Sequence, residues 1–453
     1  EEGDVKPDEI HNAFEEALRE GHLVPILFTS AETGAGIDDL LHFLVSLAPN
    51  PKEGNPRPFV KGEDENAVEF HAEPDPSKHV IAHVFKVTVD PFVGRMGIFR
   101  IHQGTINHDT QLLIGHSKKP IRVAHLHKLD GKEHAEVDSG IPGDICALAK
   151  IEELDFDCVL HDDPADEIIH LRPINFPKPM DGLAIEAKSR GDETKMAKAI
   201  SSMTAEDPCL IIERSSTTGQ TVMYGLGQLH LRIVLEKMKE RFNVEVDTEP
   251  PKIAYKETIQ GKAEGHHRHK KQSGGAGQFG EVYLRIEPKQ RGEGFEFANE
   301  TFGGSIPAAF IPAIEKGVRG VMEQGCIAGY PMQDIKVSVY DGKHHPVDSK
   351  EVAFVTAGKR AFIEAVSKAG PAVLEPLVDL EITVPEVNMG DIAGDLSGKR
   401  GRITGTDTLP GDMLCIRAQA PLAELANYQS AVKAMTGGVG SYTMELSHYE
   451  PVP

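Results

Sequence analysis

Proline-rich breaks divide this sequence into more segments than one hydrophobic core can hold. Pro49 and Pro51 end a helical pattern and open a polar linker to about residue 78, and Pro177 and Pro179 mark a second break. Such pairs are typical of boundaries because proline continues neither a helix nor a central strand. The chain has 453 residues, and a single core stops growing at roughly 250–300 residues. We therefore expect three or four domains.

Hydrophobic periodicity predicts the architecture of the first segments. The short apolar run over 24–28 predicts a strand, and leucines at helical spacing predict a helix over 37–47. Residues 79–172 alternate with period two in short runs between glycine and aspartate turns, one of them over 121–126. Many short strands at near-regular spacing favour a small β-barrel.

Two later segments repeat the order strand, helix, strand, strand, helix, strand. This order occurs over 180–252 and again over 371–453, where the second helix is predicted over 422–435. It is the order of the ferredoxin-like split βαβ unit. Between them, residues 253–370 contain strands around a glycine-rich loop and end in a helix over 350–368. The expected fold class is multidomain α+β and β, with a β-barrel, two ferredoxin-like domains and a βαβ-type domain.

Charge and cysteine content restrict the class of protein. The formal net charge of −22 argues against indiscriminate nucleic-acid binding, because counterion release needs clustered cations; a local basic patch is still compatible with RNA contact. No apolar run approaches the roughly 18 residues of a membrane helix. The cysteines lie far apart without a CxxC pair, which favours buried thiols in a reducing cytoplasm over disulfides or a zinc ribbon. They are Cys146, Cys158, Cys209, Cys326 and Cys415.

The glycine-rich loop over 272–280, which follows Lys270 and Lys271, is the segment best suited to RNA contact. Gly274, Gly275 and Gly277 carry no side chain, so the backbone there can approach a phosphate or a ribose. Neighbouring residues add neutral donors and acceptors or positive charge: Gln272, Ser273, Gln278, Lys270 and Lys271. From composition alone, an ordinary turn beside a solvated strand edge explains the same residues at least as well.

A second loop, over 345–351, precedes the predicted helix. Asp348 and Glu351 have the spacing of a capping box, so we expect Asp348 to cap this helix and to contact RNA only secondarily. His345 can donate or accept a hydrogen bond near neutral pH. It is therefore the better candidate for RNA contact.

Two other patterns argue only weakly for cofactors. Gly225 and Gly227 begin a dinucleotide-like fingerprint, but its third glycine and a parallel βαβ unit are missing. His266, His267 and His269 have no helical i, i+4 pair and no cysteine partner, so we expect no metal site. The sequence has no hydrolase nucleophile signature, and a catalytic triad assembled in space stays open.

Ordered motifs along the chain resemble those of elongation factor G, a translational GTPase. The segments 272–280 and 345–351 resemble the two loops at the tip of its fourth domain. Further matches, to its guanine motif and to its second, third and fifth domains, lie at 30–36, 88–95, 225–231, 387–391, 398–401 and 447–453.

The resemblance implies a domain map. Residues 1–50 correspond to the end of a P-loop GTPase domain, 51–175 to the β-barrel domain (II) and 176–252 to a ferredoxin-like domain (III). Residues 253–370 correspond to the fourth domain, which contacts the decoding site, and 371–453 to a second ferredoxin-like domain (V).

The resemblance also implies that the intact protein is a ribosome-stimulated GTPase that drives translocation of tRNA and mRNA. GTP and Mg²⁺ are then cofactors of the intact protein, and Ser30 and Ala31 contact the guanine. The sequence contains no GxxxxGK[ST] loop, switch segment or Asn-Lys-x-Asp motif. We therefore expect no catalytic residue, bound cofactor or GTP hydrolysis in this chain alone, which also lacks an initiator methionine and reads as a piece of a longer protein. The implied partners are ribosomal RNA, tRNA and mRNA, without DNA or membrane, for a cytoplasmic monomer.

Departures from the family pattern predict a divergent paralogue. Ala276 stands where many members carry an arginine, Pro346 stands where an acidic residue is common, and His344 and His345 form an unusual pair. Ribosome recycling, ribosomal protection against antibiotics and a non-enzymatic ribosome-binding module therefore stay open as alternatives. The ending at Pro453 favours elongation over ribosomal protection, and the nucleotide-domain remnant over 1–48 argues against the non-enzymatic module.

Overall fold

The computed structural model describes residues 7–51, 58–62, 67–90, 94–131, 133–166, 168–272 and 277–453. Two compact units divide the chain. The first comprises Glu1–Pro177, Ser189–Cys209 and Glu236–Glu245, and the second comprises Lys178–Lys188, Leu210–Leu235 and Val246–Pro453. Among the described residues, no helix combines the length and the apolar composition needed to cross a bilayer.

The first unit starts with two helices and continues as an all-β region. The helices are α1 (Pro7–Arg19) and α2 (Ile37–Leu47), the second as predicted. The strands that follow are β1 (Phe59–Lys61), β2 (Val68–Phe70), β3 (Ile81–Asp90), β4 (Gly94–Gln103), β5 (Ile106–Asn107), β6 (Gln111–Ile114), β7 (Ile121–Arg122), β8 (Leu126–Asp130), β9 (Glu133–Val137), β10 (Ser139–Gly140), β11 (Ile145–Ala149), β12 (Val159–His161) and β13 (Ile169–Leu171).

An eight-stranded antiparallel sheet organises this region. Its strand order is β7-β6-β12-β3-β4-β11-β8-β9, and it buries a core that includes Val84, Phe99 and Leu148. The predicted β-barrel class is confirmed. The strand predicted over 121–126 is wrong in detail: β7 pairs with β6, whereas β8 pairs with β11 and β9. Between Arg122 and Leu126 the chain therefore stops pairing with β6 and starts pairing with β11 and β9.

The strand predicted over 24–28 is also wrong, because these residues form no strand. Val24, Ile26 and Phe28 expose 78%, 78% and 89% of their surface. A strand is stabilised by hydrogen bonds to a neighbouring strand, and within the described residues nothing pairs with this segment.

The next six elements follow the predicted split βαβ order. They are β14 (Asp181–Ala187), α3 (Glu193–Glu206), β15 (Ile211–Arg214), β16 (Thr221–Gly225), α4 (Gln228–Phe242) and β17 (Val246–Glu249). The four strands are antiparallel in the order β15-β16-β14-β17, with the first strand between the third and the fourth. This is the ferredoxin-like arrangement.

The second unit continues with a helix-backed sheet. Its elements are β18 (Lys256–Ile259), β19 (Ala263–Lys271), β20 (Gln278–Pro288), β21 (Glu296–Asn299), α5 (Ile311–Gln324), β22 (Ile335–Lys343) and α6 (Glu351–Lys368). The sheet order is β19-β20-β22-β21, and β21 runs parallel to β22 with α5 between them along the chain. This crossover confirms the βαβ-type domain.

Glycines allow helix α6 to lie unusually close to this sheet. A Cβ atom built on Gly265 of β19 would lie 2.0 Å from the carbonyl oxygen of Ala361, and one on Gly280 of β20 would lie 3.2 Å from the backbone of Ala353. The distance at Gly265 is too short for any side chain, so only glycine permits the packing there, whereas a Cβ atom at Gly280 would make a tight contact that needs a small backbone shift. Phe354 of α6 is fully buried in the core that results.

The last domain repeats the ferredoxin-like order. Its elements are β23 (Pro371–Pro385), α7 (Met389–Gly398), β24 (Arg402–Leu409), β25 (Met413–Pro421), α8 (Tyr428–Met435) and β26 (Ser441–Pro451). Strand β23 lies between β26 and β25, and β24 lies outside β25. The continuous helix predicted over 422–435 is wrong, because Asn427 adopts a left-handed φ of 57° between a 3₁₀ turn and α8. Leu425 before the break and Tyr428 after it are both buried.

The five cysteines are free thiols, but only Cys146 and Cys209 are fully buried. The prediction of burial for all five is wrong for the other three, which are partly buried. Burial nevertheless raises the pKa of Cys146, Cys158 and Cys326 to about 11. These thiols therefore stay protonated near neutral pH.

A fully buried carboxylate organises the loop that follows α5. Glu257 of β18 is 0% exposed, and its two oxygens accept four backbone N–H groups at 2.6–3.0 Å. The donors are Cys326, Ile327, Ala328 and Tyr330. Burial raises the pKa of Glu257, but these amides outweigh it and hold the pKa below its ordinary value. The ionised side chain thus supplies the hydrogen-bond acceptors that water would otherwise supply to these four backbone N–H groups.

Glu257→Gln should lower the free energy of unfolding by about 2–3 kcal/mol at neutral pH, since one amide oxygen cannot replace two carboxylate oxygens that accept four donors. The folded-state pKa lies below the unfolded one, so the carboxylate's contribution is complete above the unfolded pKa and is lost as the pH falls through the folded value. Urea unfolding at neutral and at acidic pH measures both effects. Glu323→Gln, on the exposed end of α5, is the matched control, and equal stability of Glu257→Gln and wild type at neutral pH would contradict the assignment.

Candidate nucleic-acid interface

Three segments meet at one end of the sheet formed by β19, β20, β22 and β21. The adjoining ends of β19 and β20 form one of them, since Lys271 pairs with Gln278 there. The segment 344–350 follows β22, and the carbonyl of Ser305, after β21, accepts a hydrogen bond from His344 Nδ1 at 3.3 Å. We call residues 270–272, 277–279, 300–305 and 343–350 the tip.

The two loops predicted to contact RNA are joined through Ser349. Its hydroxyl accepts the N–H of His345 at 2.8 Å and donates to the carbonyl oxygen of Phe279 at 3.0 Å. Phe279 in turn donates its N–H to the carbonyl oxygen of Asp348 at 2.9 Å. The sequence analysis missed Phe279, which looks like a core residue, and Ser349. The second loop is therefore docked onto strand β20.

The prediction that Asp348 caps helix α6 is wrong. The N-cap is Lys350, and it has no side-chain capping bond. Because Ser349 and Lys350 separate Asp348 from the helix, its carboxylate turns to the first loop and accepts the N–H of Gly277 at 3.1 Å. A Cβ atom on Gly277 would lie 2.9 Å from this carboxylate, so glycine permits the approach. Asp348 joins the two loops to each other.

His345 presents a hydrogen-bond donor to solvent. Its Nδ1 accepts N–H groups from Val347 at 3.3 Å and Asp348 at 3.1 Å. The neutral ring therefore carries its proton on Nε2. The side chain is 51% exposed, and its ring lies edge-on to that of Phe279, with centroids 6.3 Å apart. Such a histidine can donate to an RNA phosphate or base.

Residues 265–271, which form a basic run before the first loop, are partly neutralised by a buried acid. Arg268 and His266 bond the same oxygen of Glu281 at 3.0 Å and 2.9 Å. Burial raises the pKa of Glu281, but the bonds from Arg268 and His266 outweigh it and hold the pKa below its ordinary value. Lys270 and Lys271 are exposed beyond this pair. They, and not the whole run, supply the outward positive charge.

The tip contains further cations that the sequence reasoning missed. Lys343 and Lys350 are exposed at either end of the second loop. Gln272 is exposed, and Gln278 accepts a hydrogen bond from His269 Nε2 at 3.0 Å. The signal for these lysines was weak because each is isolated in the sequence and becomes part of a cluster only through the fold.

Some predicted residues cannot be placed in this arrangement. Ser273, Gly274 and Gly275, with Ala276, lie outside the described residues, as do residues 91–93 of the motif over 88–95. RNA contact by the described tip residues stays a prediction.

Ser30 and Ala31 belong to the first unit. The Ser30 N–H donates to the carbonyl oxygen of Ala35 at 2.9 Å, and its hydroxyl accepts the N–H of Thr33 at 3.3 Å. Gly36, with φ of 72°, precedes α2. The predicted guanine loop is thus an ordered turn, and guanine contact by Ser30 and Ala31 stays a prediction.

Comparisons with protein families place these domains. Models of elongation factor G match in chain order: domain 2 at residues 79–156, domain III at 176–250, domain IV at 251–385 and the C-terminus at 372–453. The chain belongs to the elongation factor G family. The tip lies within the match to domain IV.

Individual relatives agree with this assignment. The chain is similar to an elongation factor G-like protein of Thermotoga maritima, with 36% identity over 451 residues. It also resembles a protein of Thermus thermophilus with a known crystal structure, with 34% identity and a TM-score of 0.75. The comparisons cover 99% and 100% of this chain but only 65% and 64% of those proteins. The chain thus spans slightly less than two thirds of the relatives that it matches.

Ser349→Ala should loosen the second loop without unfolding the domain. It removes the acceptor of the His345 N–H and the donor to Phe279, and a neutral hydrogen bond contributes about 1 kcal/mol. Amide hydrogen exchange at His345 should therefore become about fivefold faster. Ser367→Ala, which removes an exposed hydroxyl bonded to Glu364 in α6, is the control. Unchanged exchange at His345 would argue that Ser349 does not hold the loop.

Proposed function

We propose that the full-length protein is a ribosome-bound GTPase of the elongation factor G type that moves tRNA and mRNA along the ribosome. The observation that carries this proposal is the tip, where two loops are held to each other through Asp348 and Ser349. A rigid, cationic projection at the end of a domain suits insertion between RNA strands, because its donors are ordered before contact. Family membership supplies the coupling to GTP.

In this proposal each part of the tip has a defined task. Lys270 and Lys271 contact RNA phosphates, which position the domain without reading sequence. His345 donates from Nε2 to a single RNA group, and Gln272 adds a neutral contact. Asp348 contributes by orienting Gly277 and the first loop. The partners are ribosomal RNA, tRNA and mRNA, and the setting is the cytoplasm.

GTP and Mg²⁺ are proposed for the full-length protein only. The ordered turn at Ser30 and Ala31 fits contact with the edge of a guanine, since Ala31 is small and exposed. No residues of the chain match a phosphate loop, and phosphoryl transfer depends on such a cradle. The phosphate and Mg²⁺ contacts are therefore assigned to other parts of the intact protein.

Toeprinting of the full-length gene product on pre-translocation ribosomes with GTP tests the proposal. An advance of one codon is expected, and His345→Ala should slow it about fivefold, the value of one hydrogen bond. His134→Ala, on exposed strand β9 of the first unit, is the control. A subunit-splitting assay runs in parallel: splitting without an mRNA advance would assign the protein to ribosome recycling and overturn translocation.

The salt dependence of ribosome binding tests the two lysines separately. Each phosphate contact contributes about 0.7–0.9 to the slope of log affinity against log salt. Lys270→Ala and Lys271→Ala should each lower the slope by about that amount. Lys262→Ala is the matched control, because Lys262 lies at the other end of the β19–β20 hairpin and pairs with Glu287 at 3.1 Å. If the salt slopes of Lys270→Ala and Lys271→Ala equal that of Lys262→Ala, the two lysines do not contact RNA phosphates.

A further inference from the structure

The segment 300–305 gives the tip a third loop that none of the family motifs in the sequence includes. At its centre the side chain of Phe302 is 93% exposed. Scattered exposed apolar residues are ordinary, but a whole phenylalanine ring held in water is unfavourable unless something covers it. Val347, on the second loop of the tip, is also 76% exposed.

The loop is fixed at both ends, so the ring is held outward by structure. Before it, the Glu300 N–H donates to the carbonyl oxygen of Val339 at 2.8 Å, and the Glu300 carboxylate accepts from Ser338 at 2.8 Å. After it, Ser305 accepts from His344, and the next residue, Ile306, is buried in the core.

The turn itself keeps the ring away from the protein. Thr301 donates both its N–H and its hydroxyl to Asn299 Oδ1, at 3.1 Å and 2.8 Å. These two bonds fix the backbone just before Phe302. Gly303 and Gly304 then adopt φ of 67° and 72°, a conformation that other residues rarely enter. These two glycines reverse the chain directly after the ring.

We propose that Phe302 stacks on an unpaired base of the RNA that the tip contacts. The inference rests on the proposed function and adds a residue with a different role from the lysines and His345. A planar apolar ring beside cations suits a nucleobase with its phosphate, because every base has an apolar face and a charged backbone. The exposed Lys343 supplies a positive charge next to His344, which bonds the same loop. A protein partner would need a wider apolar surface than this single ring and Val347 provide.

Stacking and simple apolar burial predict different effects of substitution. In the full-length protein, Phe302→Tyr keeps an aromatic face and should bind programmed ribosomes like wild type. Phe302→Leu keeps apolar area but loses the ring, and Phe302→Ala loses both, so each should weaken binding about tenfold. Leu446→Ala, an exposed apolar residue of β26, controls for the loss of exposed surface. Tight binding by Phe302→Leu would overturn stacking.

Photo-crosslinking identifies the partner directly. Benzoylphenylalanine at position 302 of the full-length protein should form a product with programmed ribosomes that ribonuclease removes. A product that only protease removes would show a ribosomal protein and overturn the inference. The two proposals fail differently. If the wild-type protein does not bind ribosomes, both are contradicted. If binding depends on Lys270 but not on Phe302, only the stacking is contradicted. Because Phe302 is exposed, unchanged thermal melting of the variants will show that they remain folded.

Discussion

The close approach of helix α6 to strands β19 and β20 is the constraint on which the tip depends. Gly265 lets the helix backbone come nearer than any side chain would allow, and at Gly280 the helix is close enough that a Cβ atom would make a tight contact. The second loop leads directly into α6, and the first loop joins β19 to β20, so this packing sets the distance between the loops. A methyl group at Gly265 would force the helix outward and pull Asp348 and Ser349 away from their partners. The packing of α6 on the sheet thus determines how the two loops of the tip are placed relative to each other.

Charge at the tip is set by local pairing more than by composition. The chain carries a net charge of −22, and even the basic run before the first loop contains two side chains that bond Glu281. A fully buried carboxylate holds its partners strongly, because separating them would leave the carboxylate charge buried and uncompensated. Arg268 and His266 therefore bond within the sheet, and the proposed RNA contact rests on the lysines nearer the loop. Counting basic residues in the sequence overestimates the surface that can release counterions.

The sequence predicted the fold class well because period and order are local signals. Alternation marked the barrel strands, and the strand-helix order marked both ferredoxin-like domains. Other predictions failed where the pattern does not carry the deciding feature: the 24–28 segment has no strand to pair with among the described residues, and Asn427 interrupts a helix by adopting a left-handed φ of 57°. Asp348 matches a capping box in sequence, yet the first loop offers its carboxylate a better donor. Phe302 gave only a weak signal, one apolar residue before two glycines, and its exposure required the structure.

Pro346 shows how a departure from the family pattern can preserve a loop. Proline removes one N–H and fixes φ, which would be costly where that N–H is bonded. Here the next three amides all donate within the loop: Val347 and Asp348 to His345 Nδ1, and Ser349 to the His345 carbonyl. The loop closes without a donor from position 346, and the fixed φ lowers the entropy of the open forms. The change from an acidic residue also removes a negative charge next to His345. Both effects are compatible with the RNA contact proposed for the tip, since the loop keeps its internal hydrogen bonds and becomes stiffer.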